Sequence, residues 1–516
     1  MKKILLNFLV ATACIAGNGL MAQEVSTITL KPTDSAPIIN KNIYGHFAEH
    51  LGRLIYDGLY VGEDSSIPNT KGVRNDIIKA LKDLDIPVLR WPGGCFADTY
   101  HWKDGIGPKE DRPTIVNQWW GGVTEDNSFG THNFLDLCEE LETEPYLAAN
   151  VGSGTVKELA DWVQYVNHAG VSPMSKLRQE NGRKEPWKVT YWGVGNEAWG
   201  CGGHMTAEYY ANVYKKYATF MTDWNNGTGL YRIASGANAG DYHWTEVLMR
   251  DIPTNLLEGV ALHSYSVIDW SNKGSATGFT KKQYFQTMQR ALHMEELVTR
   301  HSAIMDKYDP ENKVALIVDE WGGWYDVEEG TNPGFLYQQN TMRDAMIAGT
   351  TLNIFNNHAR RVKMANLAQA VNVLQAVILT DGEKMLLTPT YWVMQMYKVH
   401  QDATLIPLNL EGENYVMDGE ELPAISASAS KAKDGKVHIS LVNIDSENAH
   451  EVSIDLSEMT LSDLSARILT SKNVQDYNSF EDPESIKPVP FKDFKMKKGK
   501  LDVEVPPFSV IVFGEK

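Results

Sequence analysis

Cysteine is scarce: 516 residues hold four, Cys14, Cys95, Cys138 and Cys201. No two stand at zinc-ribbon or dithiol spacing, so neither a disulfide framework nor a cysteine-built metal centre is expected. Each defaults to a buried small side chain or a single site residue, and stability has to come from an apolar core. Positive charge is also short. Lys and Arg number 48 against 66 Asp and Glu, a formal charge of -18, and a field of that sign repels phosphate backbones and anionic lipid, which argues against nucleic acid as a partner. Low-complexity tracts and repeats of fixed period are missing, which excludes a solenoid. With 43% hydrophobic and 22% charged residues, the chain has the composition of a soluble folded protein, and its length suggests two to four domains.

Residues 1–22 have the form of an export signal. Lys2 and Lys3 precede an apolar stretch from Ile4 to Ile15, too short to span a bilayer, and Leu20-Met21-Ala22 offers a cleavage site before Gln23. The expected destination is periplasmic or secreted, with lipidation at Cys14 as an alternative; no membrane span is expected.

Tryptophan maps the domains. All fourteen lie between Trp91 and Trp392, so the chain changes character near residue 395. Beyond it, short alternating runs such as Val437 to Val442, Val452 to Leu456 and Val503 to Val505 point to an all-β sandwich of the jelly-roll kind over 396–516. Val25 to Leu30 alternates in the same way, so residues 23–40 are expected to add a strand to that sandwich. Between them, 41–395 shows eight short apolar runs separated by helical stretches such as Asn75 to Leu81 and Thr155 to Trp162. The runs are Ile43 to Phe47, Pro87 to Trp91, Pro145 to Asn150, Val189 to Val194, Arg232 to Ser235, Val260 to His263, Val314 to Val318 and Val362 to Ala365. That alternation predicts an α/β fold, a (β/α)8 TIM barrel, with a doubly wound open sheet as the fallback.

Barrel chemistry sits at the C-terminal ends of the strands. Glu197 closes Trp192-Gly193-Val194-Gly195-Asn196-Glu197, and Glu320 closes Val314-Ala315-Leu316-Ile317-Val318-Asp319-Glu320. Both sit among tryptophan and glycine, where a water-poor wall favours the neutral form of an acid and suits it to proton donation. A facing pair of carboxylates is the minimal equipment for cleaving a glycosidic bond, although either one alone could equally be a salt-bridged strand end.

These residues carry a resemblance. Asn-Glu after strand four and Glu at the end of strand seven is the pattern of clan A glycoside hydrolases. Ile43-Tyr44-Gly45-His46-Phe47-Ala48-Glu49-His50, Arg90-Trp91-Pro92-Gly93-Gly94-Cys95-Phe96, Trp102-Lys103-Asp104-Gly105-Ile106-Gly107-Pro108 and Ala365-Asn366-Leu367-Ala368-Gln369 are similar to motifs of the family 51 α-L-arabinofuranosidases. The resemblance implies a barrel with a β-sandwich and retaining exo-hydrolysis of α-L-arabinofuranosyl residues from arabinan, arabinoxylan or their oligosaccharides. It makes Glu197 the acid/base and Glu320 the nucleophile, with Arg90 beneath it. Glu49, Cys95, Asn196, Tyr265 and Gln369 become sugar-pocket residues and Trp324 an apolar wall, with Trp119 or Trp120 as a further one. His263 is expected to orient the pocket without touching substrate. The family also suggests a homo-oligomer. No cofactor or metal is called for.

Other readings compete. His46, Glu49 and His50 fit the H-x-x-E-H pattern of inverted zinc peptidases, which requires a helix through both histidines. Gly152-Ser153-Gly154 hints at dinucleotide binding but lacks the third glycine. A non-catalytic sugar-binding protein would also carry a tryptophan-rich cleft. Among enzymes, an endo-β-glucanase or β-xylosidase uses the same carboxylate pair.

Overall fold

A computed structural model describes residues 25–225, 229–459, 461 and 463–515. Its centre is a closed barrel of eight parallel strands: Gly45–Phe47, Val88–Trp91, Glu144–Ala149, Tyr191–Val194, Tyr231–Asn238, Gly259–Ser266, Ala315–Gly323 and Val362–Ala368. All eight expected runs are therefore strands, with shifted ends. The seventh departs most: it continues five residues past Val318, through Asp319 and Glu320 to Gly323, and every residue of it is buried. A run read from hydrophobicity stops at the first carboxylate; the strand continues because partners inside the barrel satisfy those carboxylates.

The surrounding helices form by ordinary amphipathic logic. Val156–Asn167 starts where the Thr155 hydroxyl accepts from Glu158 N, and turns Leu159, Trp162, Val163 and Val166 inward. Lys281–Tyr308, with 28 residues, starts at a capping box of Thr280 and Gln283. Met342–Asn357 differs, being buried from Met342 to Asn356, because the barrel lies on one side of it and the late β-domain on the other. Its small and polar residues make that seam. A methyl group on Gly349 would come within 2.8 Å of Val442. Asn353 donates to the Ser426 hydroxyl at 3.2 Å and Asn356 to that of Ser428 at 3.1 Å.

The late domain is a sandwich of two sheets. One orders Leu408–Glu411, Ser26–Leu30, His450–Asp455, Lys500–Val505 and Phe494–Lys497; the other orders Thr404–Leu405, Ile425–Lys431, Val437–Asn443, Ser509–Glu515, Leu464–Leu469 and Val489–Phe491. Ser26–Leu30 pairs antiparallel with Leu408–Glu411 and parallel with His450–Asp455. Inward-facing Ile28, Ile439, Leu441, Ile454, Leu501 and Phe513 fill the space between the sheets. Among the described residues no helix is long and apolar enough to cross a membrane.

Candidate active site

The C-terminal ends of six barrel strands converge on two carboxylates. Glu320 lies inside the seventh strand. Its Oε1 accepts from Arg90 Nη1 at 2.8 Å and its Oε2 from the Tyr265 hydroxyl at 2.7 Å. Glu197 stands three residues past the fourth strand, with Oε1 at 3.0 Å from His263 Nδ1, which is also 3.5 Å from Glu320 Oε2. Arg90, on the second strand, donates its other nitrogen to Asn196 Oδ1 at 2.6 Å and lies over the Phe47 ring at 4.4 Å. One guanidinium thus fixes Glu320 and the residue before Glu197 together.

The turn that presents Glu197 is left-handed, with φ of 85° at Gly195 and 40° at Glu197. Such a conformation costs about 1–3 kcal/mol at a residue with a side chain and persists only where the surroundings impose it. Asp98 does so. Its Oδ2 accepts from Asn196 N at 2.9 Å and its Oδ1 from Val151 N and Gly152 N, both at 2.8 Å, tying together the loops after strands two, three and four. The Ser235 hydroxyl, accepting from Ala198 N at 3.0 Å, holds the far side of the turn.

A second cluster surrounds Glu49, after strand one. Its Oε1 accepts from Gly94 N, Phe96 N and Trp120 Nε1 at 2.9, 3.1 and 2.9 Å, and its Oε2 from Gln369 Nε2 at 3.0 Å. Gly94 lets this loop pass close to the centre, since a Cβ there would lie 2.7 Å from Glu320 Oε1.

Environment separates the acids. Burial pushes Glu49 up to about 7, helped by the Glu320 charge and opposed by its N–H donors. Burial also pushes Asp98 up to about 7 and raises Asp319. Glu320 goes the other way: burial would raise it, but His263 and Arg90, with the Arg90 and Tyr265 hydrogen bonds, hold it below the usual carboxylate range. His263 is raised because the Glu320 and Glu197 charges outweigh its burial.

Glu49, Asn196, Tyr265, Trp324 and Gln369 all gather around the pair, and Trp120 joins through Glu49. Trp324 packs edge-to-face on Tyr265 with ring centroids 5.0 Å apart. Cys95 requires correction. It is disulfide-bonded to Cys201, 106 residues away, so it offers no thiol to a sugar and the expectation of unpaired cysteines fails for this pair. Local spacing cannot reveal a bond between loops that meet only when the barrel closes. Cys201 Sγ lies 3.6 Å from Glu197 Oε2, which makes the disulfide a wall of the site. His263, expected to orient the pocket, contacts both carboxylates, and period two along one strand puts it on the same face as Tyr265. Asp98 gave no signal, because its partners are backbone N–H groups of distant loops.

Among the described residues, two clusters have metal-like composition, Cys95/Glu197/Cys201 and Glu197/His263/Glu320. In the first, both sulfurs are spent on each other. In the second, Arg90 and Tyr265 already use the Glu320 oxygens. The zinc-peptidase geometry fails: Gly45–Phe47 is a strand, and His50 is occupied at both nitrogens, by Glu125 Oε2 at 2.9 Å and by Trp91 Nε1, which donates at 3.1 Å. His46 is wholly buried away from them, and burial lowers it to about 4.

The family profile described as the α-L-arabinofuranosidase 1 domain matches residues 80–283, and that of the α-L-arabinofuranosidase C-terminal domain matches 319–509. An intracellular exo-α-L-arabinofuranosidase of Bacteroides ovatus is 54% identical over 98% of each chain. The crystal structure of the GH51 arabinofuranosidase from Xanthomonas axonopodis pv. citri superposes with a TM-score of 0.93 at 47% identity, covering 95% of this chain and 100% of that one. The chain belongs to the family 51 α-L-arabinofuranosidases. An arabinose complex of the Thermotoga maritima α-L-arabinofuranosidase, 30% identical, superposes with a TM-score of 0.83 over 95% and 99% of the two chains. Membership removes the endo-β-glucanase, β-xylosidase and non-catalytic readings of this glycoside hydrolase. The expectation of export is overturned as well, since the Bacteroides ovatus relative is an intracellular enzyme. The segment behind that expectation, residues 1–22 with Cys14, lies outside the described residues.

Proposed function

We propose that this arabinofuranosidase removes terminal α-L-arabinofuranosyl residues from arabinan, arabinoxylan or arabino-oligosaccharides by double displacement, with Glu320 as nucleophile and Glu197 as acid/base. The observation that carries the mechanism is proximity. An oxygen of Glu197, one of Glu320 and a nitrogen of His263 all lie within 4.8 Å of one another. Retaining enzymes hold their carboxyls about 5–5.5 Å apart, whereas inverting enzymes need about 6.5–9.5 Å to admit a water between them.

In the first step Glu320 attacks the anomeric carbon as the glycosidic bond breaks, and the Glu197 proton passes to the departing oxygen. In the second, Glu197 takes a proton from water, whose oxygen attacks the same carbon and displaces Glu320. Arg90 and Tyr265 keep Glu320 ionised for attack. With its Oδ1 held by Arg90 and one Nδ2 hydrogen turned to Cys201 Sγ at 3.8 Å, Asn196 keeps its second Nδ2 hydrogen to donate to the sugar 2-hydroxyl. Glu49 and Gln369 offer polar atoms to the other hydroxyls. Their burial closes the inner end of the pocket, which favours a chain end over an internal unit.

Proton NMR of early hydrolysis tests the mechanism. The α-anomer of arabinose should appear first and then mutarotate. First release of the β-anomer, or substantial turnover by Glu320→Ala, would overturn the assignment.

A further inference from the structure

A cavity of about 890 Å³ opens at the barrel mouth, well beyond one furanose ring, and its walls are unequal. Glu197 and Tyr265 stand at the inner end. Trp199, Trp324 and Trp270 line its length, and Arg290 and His293 reach it from helix Lys281–Tyr308. Since the departing oxygen is protonated by Glu197, the bond to the leaving group has to point to the Glu197 side, into this space. That step rests on the acid/base reading above.

Three rings run outward in contact: Tyr265 on Trp324 at 5.0 Å, then Trp324 on Trp270 at 5.3 Å, both edge-to-face. Trp270 is 59% exposed. Single exposed apolar side chains are unremarkable, but this one is held against another tryptophan along the wall of a catalytic cavity, where an uncovered indole offers a surface for stacking. Arg290 is exposed on the same cavity and forms no ion pair among the described residues, so its planar fork of N–H donors is available to ring hydroxyls.

We propose that Trp270, Trp324 and Arg290 form a leaving-group subsite for a pyranose ring, so that the enzyme favours arabinofuranosyl branches on a pyranose backbone over furanose-linked arabinan. A pyranose chair with equatorial hydroxyls presents a flat C–H face to an indole and directs its hydroxyls sideways toward a donor such as Arg290. A puckered furanose linked through its exocyclic carbon has no comparable face.

The test compares kcat/KM of the full chain and its Trp270→Ala and Trp270→Phe variants on three substrates: methyl α-L-arabinofuranoside, xylotriose carrying one arabinofuranosyl branch, and linear arabinotriose. Trp270→Ala should lose about tenfold on the branched xylotriose, mainly through KM, the upper end of what one lost ring-stacking contact costs. It should change by less than twofold on the methyl glycoside and lose less on arabinotriose, while Trp270→Phe should recover most of the loss. Equal losses on all three substrates would reveal a structural role, no loss on the branched xylotriose would remove the subsite, and a larger loss on arabinotriose would assign it to furanose; each overturns the proposal. Wild-type turnover of the methyl glycoside, which barely enters the subsite, checks the underlying activity separately.

Discussion

Gly94→Ala tests whether Glu320 is held to sub-ångström tolerance. The added Cβ would lie 2.7 Å from Glu320 Oε1 and 3.4 Å from Asn196 Nδ2, so the first contact is about half an ångström too short for a carbon and an oxygen. Neither side yields freely. Glu320 is tied by Arg90 at 2.8 Å and Tyr265 at 2.7 Å, and the Gly94 loop is pinned by two N–H donations to Glu49. A misplacement of about 1 Å costs about 100-fold in rate, so half of that predicts a fall in kcat of about 10-fold, with 100-fold as the upper bound. Overpacking would also cost about 1–3 kcal/mol of stability, too little to unfold the domain. The assay is kcat on p-nitrophenyl α-L-arabinofuranoside beside a thermal melt. Gly200→Ala serves as the control in a neighbouring loop, where the new Cβ meets only Glu197 O, at an ordinary 3.6 Å. Wild-type kcat in Gly94→Ala, or an equal loss in both variants, would refute the reasoning.

Three further outcomes are expected. Glu197→Ala should lose about 10²–10⁴-fold on arabino-oligosaccharides, whose leaving groups need a proton, and much less in the glycosylation step of an aryl arabinoside; equal losses would remove its acid role. Glu49 binds its proton more tightly folded, at about 7 against 4.5, so the native state holds more protons than the unfolded one and stability falls as pH rises from about 4.5 to about 7. At 1.36 kcal/mol per unit the fall is about 3 kcal/mol; urea melts of Glu49→Gln should show that much less pH dependence, and an unchanged slope would contradict the burial argument. The Cys95–Cys201 bond closes a loop of 106 positions, so reduction should cost about 2–4 kcal/mol; a melting temperature indifferent to reductant, or equal reductant sensitivity in the Cys95→Ser/Cys201→Ser variant, would show that the bond contributes nothing.

The barrel was legible because its strands begin as short apolar runs and most of its helices are amphipathic, both patterns of period, Met342–Asn357 being the buried exception. Glu197 and Glu320 were legible as carboxylates ending apolar runs among tryptophans. What escaped lies between segments rather than within them. Asp98 is an acid in an unremarkable stretch, Ala97-Asp98-Thr99, and its role follows from three backbone N–H groups that only the closed barrel brings near. Cys95 and Cys201 are joined for the same reason. The H-x-x-E-H coincidence shows the opposite failure: the spacing of His46, Glu49 and His50 is correct for a helix, but a strand and a loop send the three side chains to different environments. Local pattern settles secondary structure, while chemistry depends on where loops distant in sequence converge.

That convergence leaves the site rich in acid. Glu49, Asp98, Asp319 and Glu320 are buried around Arg90 and His263, and three of the four are raised while Glu320 is lowered. The difference follows from what each carboxylate receives. Glu320 combines the Arg90 guanidinium at 2.8 Å, the Tyr265 hydroxyl at 2.7 Å and His263 at 3.5 Å, whereas Glu49 is met by neutral N–H donors and faces the Glu320 charge. Negative charge is therefore concentrated where a nucleophile needs it, and the raised acids limit the repulsion it would otherwise suffer. A glycosyl transition state develops positive charge on the sugar ring, which the ionised Glu320 carboxylate, already fixed by Arg90 and Tyr265, stabilises at little reorganisation cost. An oxyanion formed beside the same carboxylate would be repelled by it, so Glu320 is suited to glycoside cleavage rather than to the peptide hydrolysis that the H-x-x-E-H spacing suggested.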